Sequence, residues 1–225
     1  MPPALHLSRG KIPLWLKVLY TAYMAVLVPI YWQGYGPVNF LWFCDVALFV
    51  TLIALWLEST FLASMQAVAI TLPQLLWVVD FIVRAIVGVH IIDLTEYMFD
   101  RERPLYLRAL STFHGWLPFL LLWMLWRLGY DRRAWIAQTF LAWAVLWSAY
   151  FFVQDPTNSS GPGNVNKIGG PVDDHLQTWM DPRLWVVVLM VIYPVCVYLP
   201  THLLLSALLK PADRRTEPTH GTLVK

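Results

Sequence analysis

Charged side chains are scarce in this sequence. Asp, Glu, Lys and Arg make up 13% of the 225 residues, and 58% of the residues are hydrophobic. A soluble domain carries about 25% charged residues, and a soluble fold of this length cannot bury so much apolar surface. The composition therefore excludes an ordinary soluble protein and predicts an integral membrane protein.

Clustered positive charge is also absent. The formal net charge is +2 and the basic residues are dispersed along the chain, whereas a nucleic-acid-binding surface needs Lys and Arg gathered on one face. We therefore expect no nucleic-acid partner. The two cysteines, Cys44 and Cys196, lie inside apolar runs, so they do not form the loop framework typical of a disulfide-rich domain.

The usual sequence signatures of soluble enzymes are missing as well. The chain has no glycine-rich phosphate-binding loop, no nucleophile elbow built around serine and no pair of cysteines spaced for dithiol chemistry. Several metal-ligand residue types occur, but without a recognised metal-binding spacing; they are Asp45, His90, Asp93 and His114. The sequence predicts no metal and no other cofactor.

Long apolar stretches dominate what is present. Crossing a hydrocarbon layer of about 30 Å takes about 20 apolar residues, and six stretches match this length, at residues 14–32, 40–57, 61–79, 107–128, 135–153 and 184–209. The prediction is an all-α, polytopic transmembrane helical bundle of about six spans, or seven if the third stretch crosses twice, forming a single domain over residues 1–209. Residues 210–225 are polar and are predicted to be a mobile cytoplasmic tail.

The third stretch is ambiguous, because its apolar character continues to Ile92 with Pro73, Asp80 and Arg84 inside it. It is either one long, kinked helix or a helix that breaks after Pro73 and continues as a re-entrant or interfacial segment. We favour the break. Lys and Arg near the other span ends favour an orientation with both termini on the cytoplasmic side.

Polar side chains inside the spans are candidates for a functional site, because they are costly in lipid unless they are paired or hydrated. In the six-span arrangement, Cys44 and Asp45 begin the second span on the outer side, and His114 lies about 10 Å into the fourth span from the same side. The loop carrying Asn164 and Asn166 opens on that side too. The other polar positions are Gln66, Asp80, Arg84, His90, Asp93, Gln74 and Gln138, with Lys17, Glu58 and His202 nearer the inner surface.

These residues predict an outer-leaflet pocket suited to acid–base or nucleophilic chemistry, because a histidine activates a nearby thiol and an aspartate fixes the imidazole tautomer. Structural interpretations stand beside this one. A lone membrane cysteine is commonly a packing residue, Asp80 and Arg84 have the spacing of an i,i+4 helical pair, and His114 can serve a hydrogen bond between helices.

Four local patterns resemble the bacterial YwaF-like integral membrane proteins: Phe43–Leu48, Gln66 and Ala67 followed by Pro73, Phe113 with His114, and Asn164–Pro171. That group resembles a vertebrate transmembrane acyltransferase and, more remotely, androgen-induced hydrolases that cleave lipid esters. The resemblance implies a compact helical bundle in a bacterial inner membrane, with Cys44 as the nucleophile and His114 as its base.

Two functional hypotheses follow. The first is a lipid-directed acyltransferase or ester hydrolase, with Cys44, His114 and Asp45 as the catalytic group and Asn164, Asn166 and Asp80 as substrate-binding residues. The second is a non-catalytic small transporter or an assembly partner of a membrane complex, whose buried polar groups line a solute path or tie helices together. Membrane lipids are the expected partners in the first case, and protein partners are not predicted.

Overall fold

The structure is a computed structural model that describes residues 12–89, 91–92, 94–153, 163–172 and 175–209. The predicted tail at residues 210–225 and two of the metal-ligand candidates, His90 and Asp93, lie outside the described residues. Within these ranges the chain is an all-α bundle, which confirms the predicted fold class.

Six long helices make up the bundle. Five of them are long and apolar enough to cross a membrane: α1 (Leu14–Tyr35), α3 (Thr60–Val87), α4 (Leu105–Leu128), α5 (Ala134–Phe152) and α6 (Pro182–Leu208). The remaining helix, α2 (Phe43–Leu57), is apolar but shorter; at 1.5 Å per residue it extends only about 22 Å. A short 3₁₀ helix, Pro37–Leu41, precedes α2. Other short helices are Glu96–Phe99 and the 3₁₀ turn Val165–Lys167.

The third apolar stretch is one continuous helix. The favoured break after Pro73 is wrong: α3 runs through Pro73 and ends at Gly88, whose positive φ closes the helix. A proline removes one backbone hydrogen bond, but membrane helices tolerate this where neighbouring helices enclose the site. At 28 residues, α3 is about 42 Å long, so it extends well past the level at which α2 begins.

Helix α3 is also the centre of the bundle, in contact with α2, α4, α5 and α6. Its buried face carries small residues in its first half, including the fully buried Ala63, Ser64 and Ala67. Small side chains let helix backbones approach closely, which is how membrane helices gain packing energy. Larger residues of the facing helices then fill the core, among them Leu48, Leu55, Leu117, Leu121 and Met124.

The connections at one end of the bundle are tight, and we call this end the turn end. Glu58 turns the chain in the left-handed conformation, and Ser59 accepts a hydrogen bond from the Leu62 N–H as the cap of α3. Thr60 donates a hydrogen bond to the Leu128 carbonyl at 3.2 Å, so α3 and α4 share a level here. Lys17 of α1 pairs with Glu58 at 2.7 Å.

Two helices have local interruptions. In α4 the regular helix pauses at Ser111 and Thr112, between Leu105–Leu110 and Phe113–Leu128. In α6 a π-helical segment spans Tyr193–Tyr198. Short π-helical segments inside α-helices are frequent at functional sites. After the interruption in α4, the regular helix resumes at Phe113, one residue before His114.

Candidate functional site

Three polar side chains lie at nearly the same level of the bundle. At 1.5 Å of rise per residue, Cys44 lies about 20 Å from the turn end of α2, and Gln74 and His114 lie about 21 Å from the turn ends of α3 and α4. The stacked rings of Trp77 and His114, with centroids 5.3 Å apart, join α3 to α4 just beyond this level. The polar groups of three helices therefore meet within one layer of the bundle.

A cavity of about 790 Å³ opens at this layer. Its lining includes five of the six residues that the sequence singled out: Cys44, Asp45, His114, Asn164 and Asn166. Much of the remaining lining is aromatic and comes from α1, α3 and the segment before α4; examples are Tyr31, Tyr35, Trp77, Tyr97 and Phe99. The structure thus brings residues distant in sequence into the lining of one cavity that has both polar and apolar walls.

His114 is held in a defined orientation. Its Nδ1 lies 2.8 Å from the Ser111 carbonyl oxygen, and a carbonyl only accepts hydrogen bonds, so this partner assigns the proton to Nδ1. The imidazole also stacks on Phe113, with ring centroids 4.1 Å apart. Nε2 is consequently the nitrogen that carries a lone pair, and a backbone carbonyl fixes the tautomer.

Cys44 and Asp45 interact with each other. The Cys44 thiol donates to Asp45 Oδ2 at 3.7 Å, and no hydrogen bond joins Cys44 to His114 within the described part of the chain. Asp45 is only 3% exposed, and its Oδ1 has no hydrogen-bond partner among the described residues. The role of orienting His114 that the sequence offered to Asp45 is filled instead by the Ser111 carbonyl.

Asn166 joins the long loop to the start of α2. Its Oδ1 accepts from the Phe43 N–H at 3.0 Å, and its Nδ2 donates to the Leu41 carbonyl at 2.7 Å. Its φ of 50° lies in the left-handed region, which asparagine tolerates better than most residues. Asn166 therefore positions the backbone next to Cys44, while its predicted contact with a substrate stays a prediction.

Asn164 stabilises the same loop from within. Its Nδ2 donates to the Gly170 carbonyl at 2.8 Å, and its Oδ1 accepts from the Gly169 N–H at 2.8 Å. Nδ2 also donates to the Val172 carbonyl at 3.3 Å, so the whole side-chain amide is used to shape the loop. Both asparagines line the cavity, and both stabilise the loop conformation that places them there.

We expect Asn166→Ala to destabilise the protein by about 1–3 kcal/mol, because it leaves the Phe43 N–H and the Leu41 carbonyl without partners in a largely buried site. Thermal unfolding in detergent measures this as a lower apparent Tm. Asn166→Asp keeps the acceptor for the Phe43 N–H but turns a second carboxylate oxygen toward the Leu41 carbonyl, so its Tm should fall below that of the wild type as well. An unchanged Tm for Asn166→Ala would contradict this role.

Asp80 lies outside the cavity. Its Oδ1 accepts from the N–H groups of Ile91 and Ile92, and its Oδ2 accepts from the N–H and the hydroxyl of Thr95, at distances of 2.7–3.1 Å. The i,i+4 ion pair with Arg84 is not formed. The carboxylate anchors the segment after α3, and its predicted contact with a substrate has no counterpart in the described contacts.

We expect Asp80→Asn to loosen the segment after α3, because an amide has one acceptor oxygen where the carboxylate uses two, and an amide NH₂ then faces backbone N–H donors. Limited proteolysis should cut this segment several-fold faster than in the wild type. Glu102→Gln is the control, since it removes an exposed acid of the same connection. Equal cleavage rates for Asp80→Asn and the wild type would exclude an anchoring role.

Most of the cavity lining was not predicted from the sequence, and two of these further residues, Gln74 and Tyr97, carry polar groups. Gln74 was noted only as a polar group in a span; it is 3% exposed, and neither its Oε1 nor its Nε2 has a hydrogen-bond partner among the described residues. Tyr97 accepts from the Trp77 indole N–H at 3.2 Å, and burial raises the pKa of its phenol well above the ordinary value. Gln74 and Tyr97 therefore supply neutral donors to the cavity.

Comparison with known proteins gives no relative for this chain: no family model, no curated protein and no solved structure matches it. The site must therefore be judged on its own geometry. Among the residues that the structure describes, no group of three His, Cys, Asp or Glu side chains could hold a metal ion.

Proposed function

We propose that the protein is a membrane enzyme that cleaves or transfers the acyl group of a lipid ester. The observation that carries the proposal is that Cys44, His114 and buried hydrogen-bond donors all line one cavity. The resemblance of its sequence patterns to the YwaF-like membrane proteins supports the same chemistry. Five apolar helices of membrane-spanning length support a substrate that is taken from the bilayer.

The cavity suits an amphiphile rather than a small soluble metabolite. Its volume of about 790 Å³ is within the range of ligand pockets, about 300–1,000 Å³. Aromatic side chains supply most of its apolar wall, and its reactive layer lies about 20 Å from the turn end, which is inside a hydrocarbon layer of about 30 Å. That depth favours a substrate from the bilayer over one from water.

The reaction needs two steps. In the first, the thiol turns away from Asp45 by rotation about its Cα–Cβ bond, His114 Nε2 takes its proton, and the sulfur attacks the acyl carbon. The ester C–O bond breaks, His114 returns the proton to the leaving alkoxide, and an acyl thioester remains on Cys44. In the second, water or a second lipid hydroxyl attacks the thioester, its proton passes to Nε2, and the thiol is restored.

The negative charge that develops on the acyl oxygen needs donors that are not already engaged. Asn164 and Asn166 use their amides to hold the loop, whereas the Gln74 amide and the Tyr97 hydroxyl proton have no acceptor among the described hydrogen bonds. We assign the oxyanion to these two groups. Donors of this kind typically contribute 10²–10³-fold to the rate, roughly, when they are fixed before the reaction.

Lipid mass spectrometry tests the proposal. Membranes from cells that overproduce the wild-type protein should show a lysolipid, free fatty acid or acyl-exchanged lipid that is absent when Cys44→Ser or His114→Ala is produced at matched abundance. The identity of the changed lipid names the substrate class. Identical lipid profiles from all three folded proteins would reject the enzyme.

A non-catalytic function is the second candidate, and the unpaired Asp45 Oδ1 favours it. A buried carboxyl beside a cavity that also contains the unpaired Gln74 amide can bind a polar solute or carry a proton during transport. In that case Asp45→Asn changes uptake of a solute, and overproduction of the protein leaves the lipid profile constant. The enzyme hypothesis predicts instead that overproduction changes the lipid composition.

A further inference from the structure

An arginine lies at the far end of the cavity, away from the turn end. Arg84 is about 15 Å along α3 from Gln74, and it lines the same cavity. Its Nη1 is buried and has no hydrogen-bond partner among the described residues. The guanidinium instead lies over the Phe99 ring, with Cζ 4.7 Å from the ring centroid. A half-buried guanidinium with one enclosed, unpartnered donor therefore borders the cavity.

The nearby acids are occupied or exposed. Asp80, one turn earlier on α3, receives four hydrogen bonds from the following segment, and Asp100 lies 3.4 Å from Arg103. Glu96 is exposed. No carboxylate of the described chain lies within ion-pair distance of Arg84. The charge of Arg84 is consequently not balanced by a described ion pair.

An aromatic wall joins Arg84 to the reactive layer. Phe99, which lies under the guanidinium, is 5.4 Å from Phe81, and Phe81 is 5.2 Å from Trp77. Trp77 in turn is 5.3 Å from the His114 imidazole; all three distances join ring centroids. Helical side chains lean toward the N-terminus of their helix, so the guanidinium is directed back toward Gln74. This shortens the gap between the cationic group and the reactive layer.

We propose that Arg84 binds an anionic oxygen group, a phosphate or a carboxylate, carried at the headgroup end of the amphiphile in the cavity. A guanidinium forms paired hydrogen bonds to both groups, and a charged acceptor strengthens them. This inference rests on the proposed function for the identity of the cavity as a lipid site. It adds that an anionic headgroup is selected and that Arg84 determines the selection.

Equilibrium binding of radiolabelled dodecyl phosphate to the purified protein in an uncharged detergent tests this. Unlabelled dodecyl phosphate or dodecanoate should displace the label at least about tenfold better than dodecanol, because the three share one alkyl length and differ in headgroup charge. Inorganic phosphate should displace it poorly. Arg84→Gln should weaken dodecyl phosphate binding at least about tenfold. Arg84→Lys should weaken it by less, because lysine keeps the charge but lacks the paired donors of the guanidinium.

Arg101→Gln is the matched control, since it removes an exposed arginine of the connection between α3 and α4 that does not line the cavity; it should bind like the wild type. Wild-type affinity in a folded Arg84→Gln protein, or equal displacement by dodecanol, overturns the inference. Displacement by inorganic phosphate as strong as by dodecyl phosphate assigns the site to free phosphate and overturns it too. Binding that depends on Arg84 in a protein without lipid turnover would reject the enzyme and leave the anion site standing.

Discussion

Cys44→Ser is expected to reduce lipid turnover to background, a loss of about 10³-fold or more. A serine hydroxyl keeps almost the same volume, but it remains protonated near neutral pH and is a far weaker nucleophile than a thiol beside an imidazole. The substitution leaves the helix start and its loop contacts intact, because Asn166 binds the Phe43 and Leu41 backbone and not the thiol. The measurement is the initial rate of fatty-acid or lysolipid release in proteoliposomes.

Cys196→Ser is the matched control. Cys196 is exposed on the π-helical segment of α6 and does not line the cavity, so its replacement should leave the rate unchanged. A Cys44→Ser protein with the wild-type rate would remove the nucleophile from the proposed mechanism. Loss of activity in both variants would point to a general effect of cysteine removal and not to chemistry at Cys44.

His114→Asn is expected to lower turnover by about 10²–10⁴-fold, the usual contribution of a positioned general base. The asparagine amide can still donate to the Ser111 carbonyl from near the position of Nδ1, so the local contact in α4 is retained. The group at Nε2 is lost. Measured in the same proteoliposomes, the loss should appear in kcat, because the histidine acts on the thiol proton and not on substrate binding.

The control for this variant is His202→Asn. His202 lies near the other end of the bundle, where its Nδ1 contacts the Tyr130 hydroxyl at 2.6 Å, and it is absent from the cavity lining. Its replacement should leave kcat unchanged. If His114→Asn kept the wild-type kcat, a different base would have to serve Cys44; if it changed only KM, the imidazole would be a binding group.

Much of the site could be predicted by counting residues along apolar spans. Cys44 and His114 were expected near the same side of the membrane, and their helices do bring them to one layer, because helical rise fixes depth once the span ends are known. Depth alone does not fix direction around a helix. The hydrogen bond from Cys44 to Asp45 depends on the side-chain rotamers. The bond from His114 to the Ser111 carbonyl depends also on the interruption in α4, and the periodic spacing of apolar residues predicts neither.

The long loop and the end of α3 show the other limit. Asn164 and Asn166 were expected to meet a substrate, yet their amides bind backbone groups of the loop and of the residues before α2. Such partners depend on the left-handed turn at Asn166, which requires the folded context. Likewise, Pro73 suggested a break, but α3 continues through it to Val87, and this extension carries Arg84 to the cavity.

Detection of an acyl group on Cys44 is the most direct test of the proposed function. The purified protein is incubated with phospholipid vesicles, quenched in acid and analysed by intact mass and peptide mapping. The mechanism predicts an added fatty-acyl mass on the peptide that contains Cys44, released by hydroxylamine and absent in Cys44→Ser. The mechanism would be contradicted if the wild type turned over lipid without an acyl adduct under rapid quench and Cys44→Ser kept full activity.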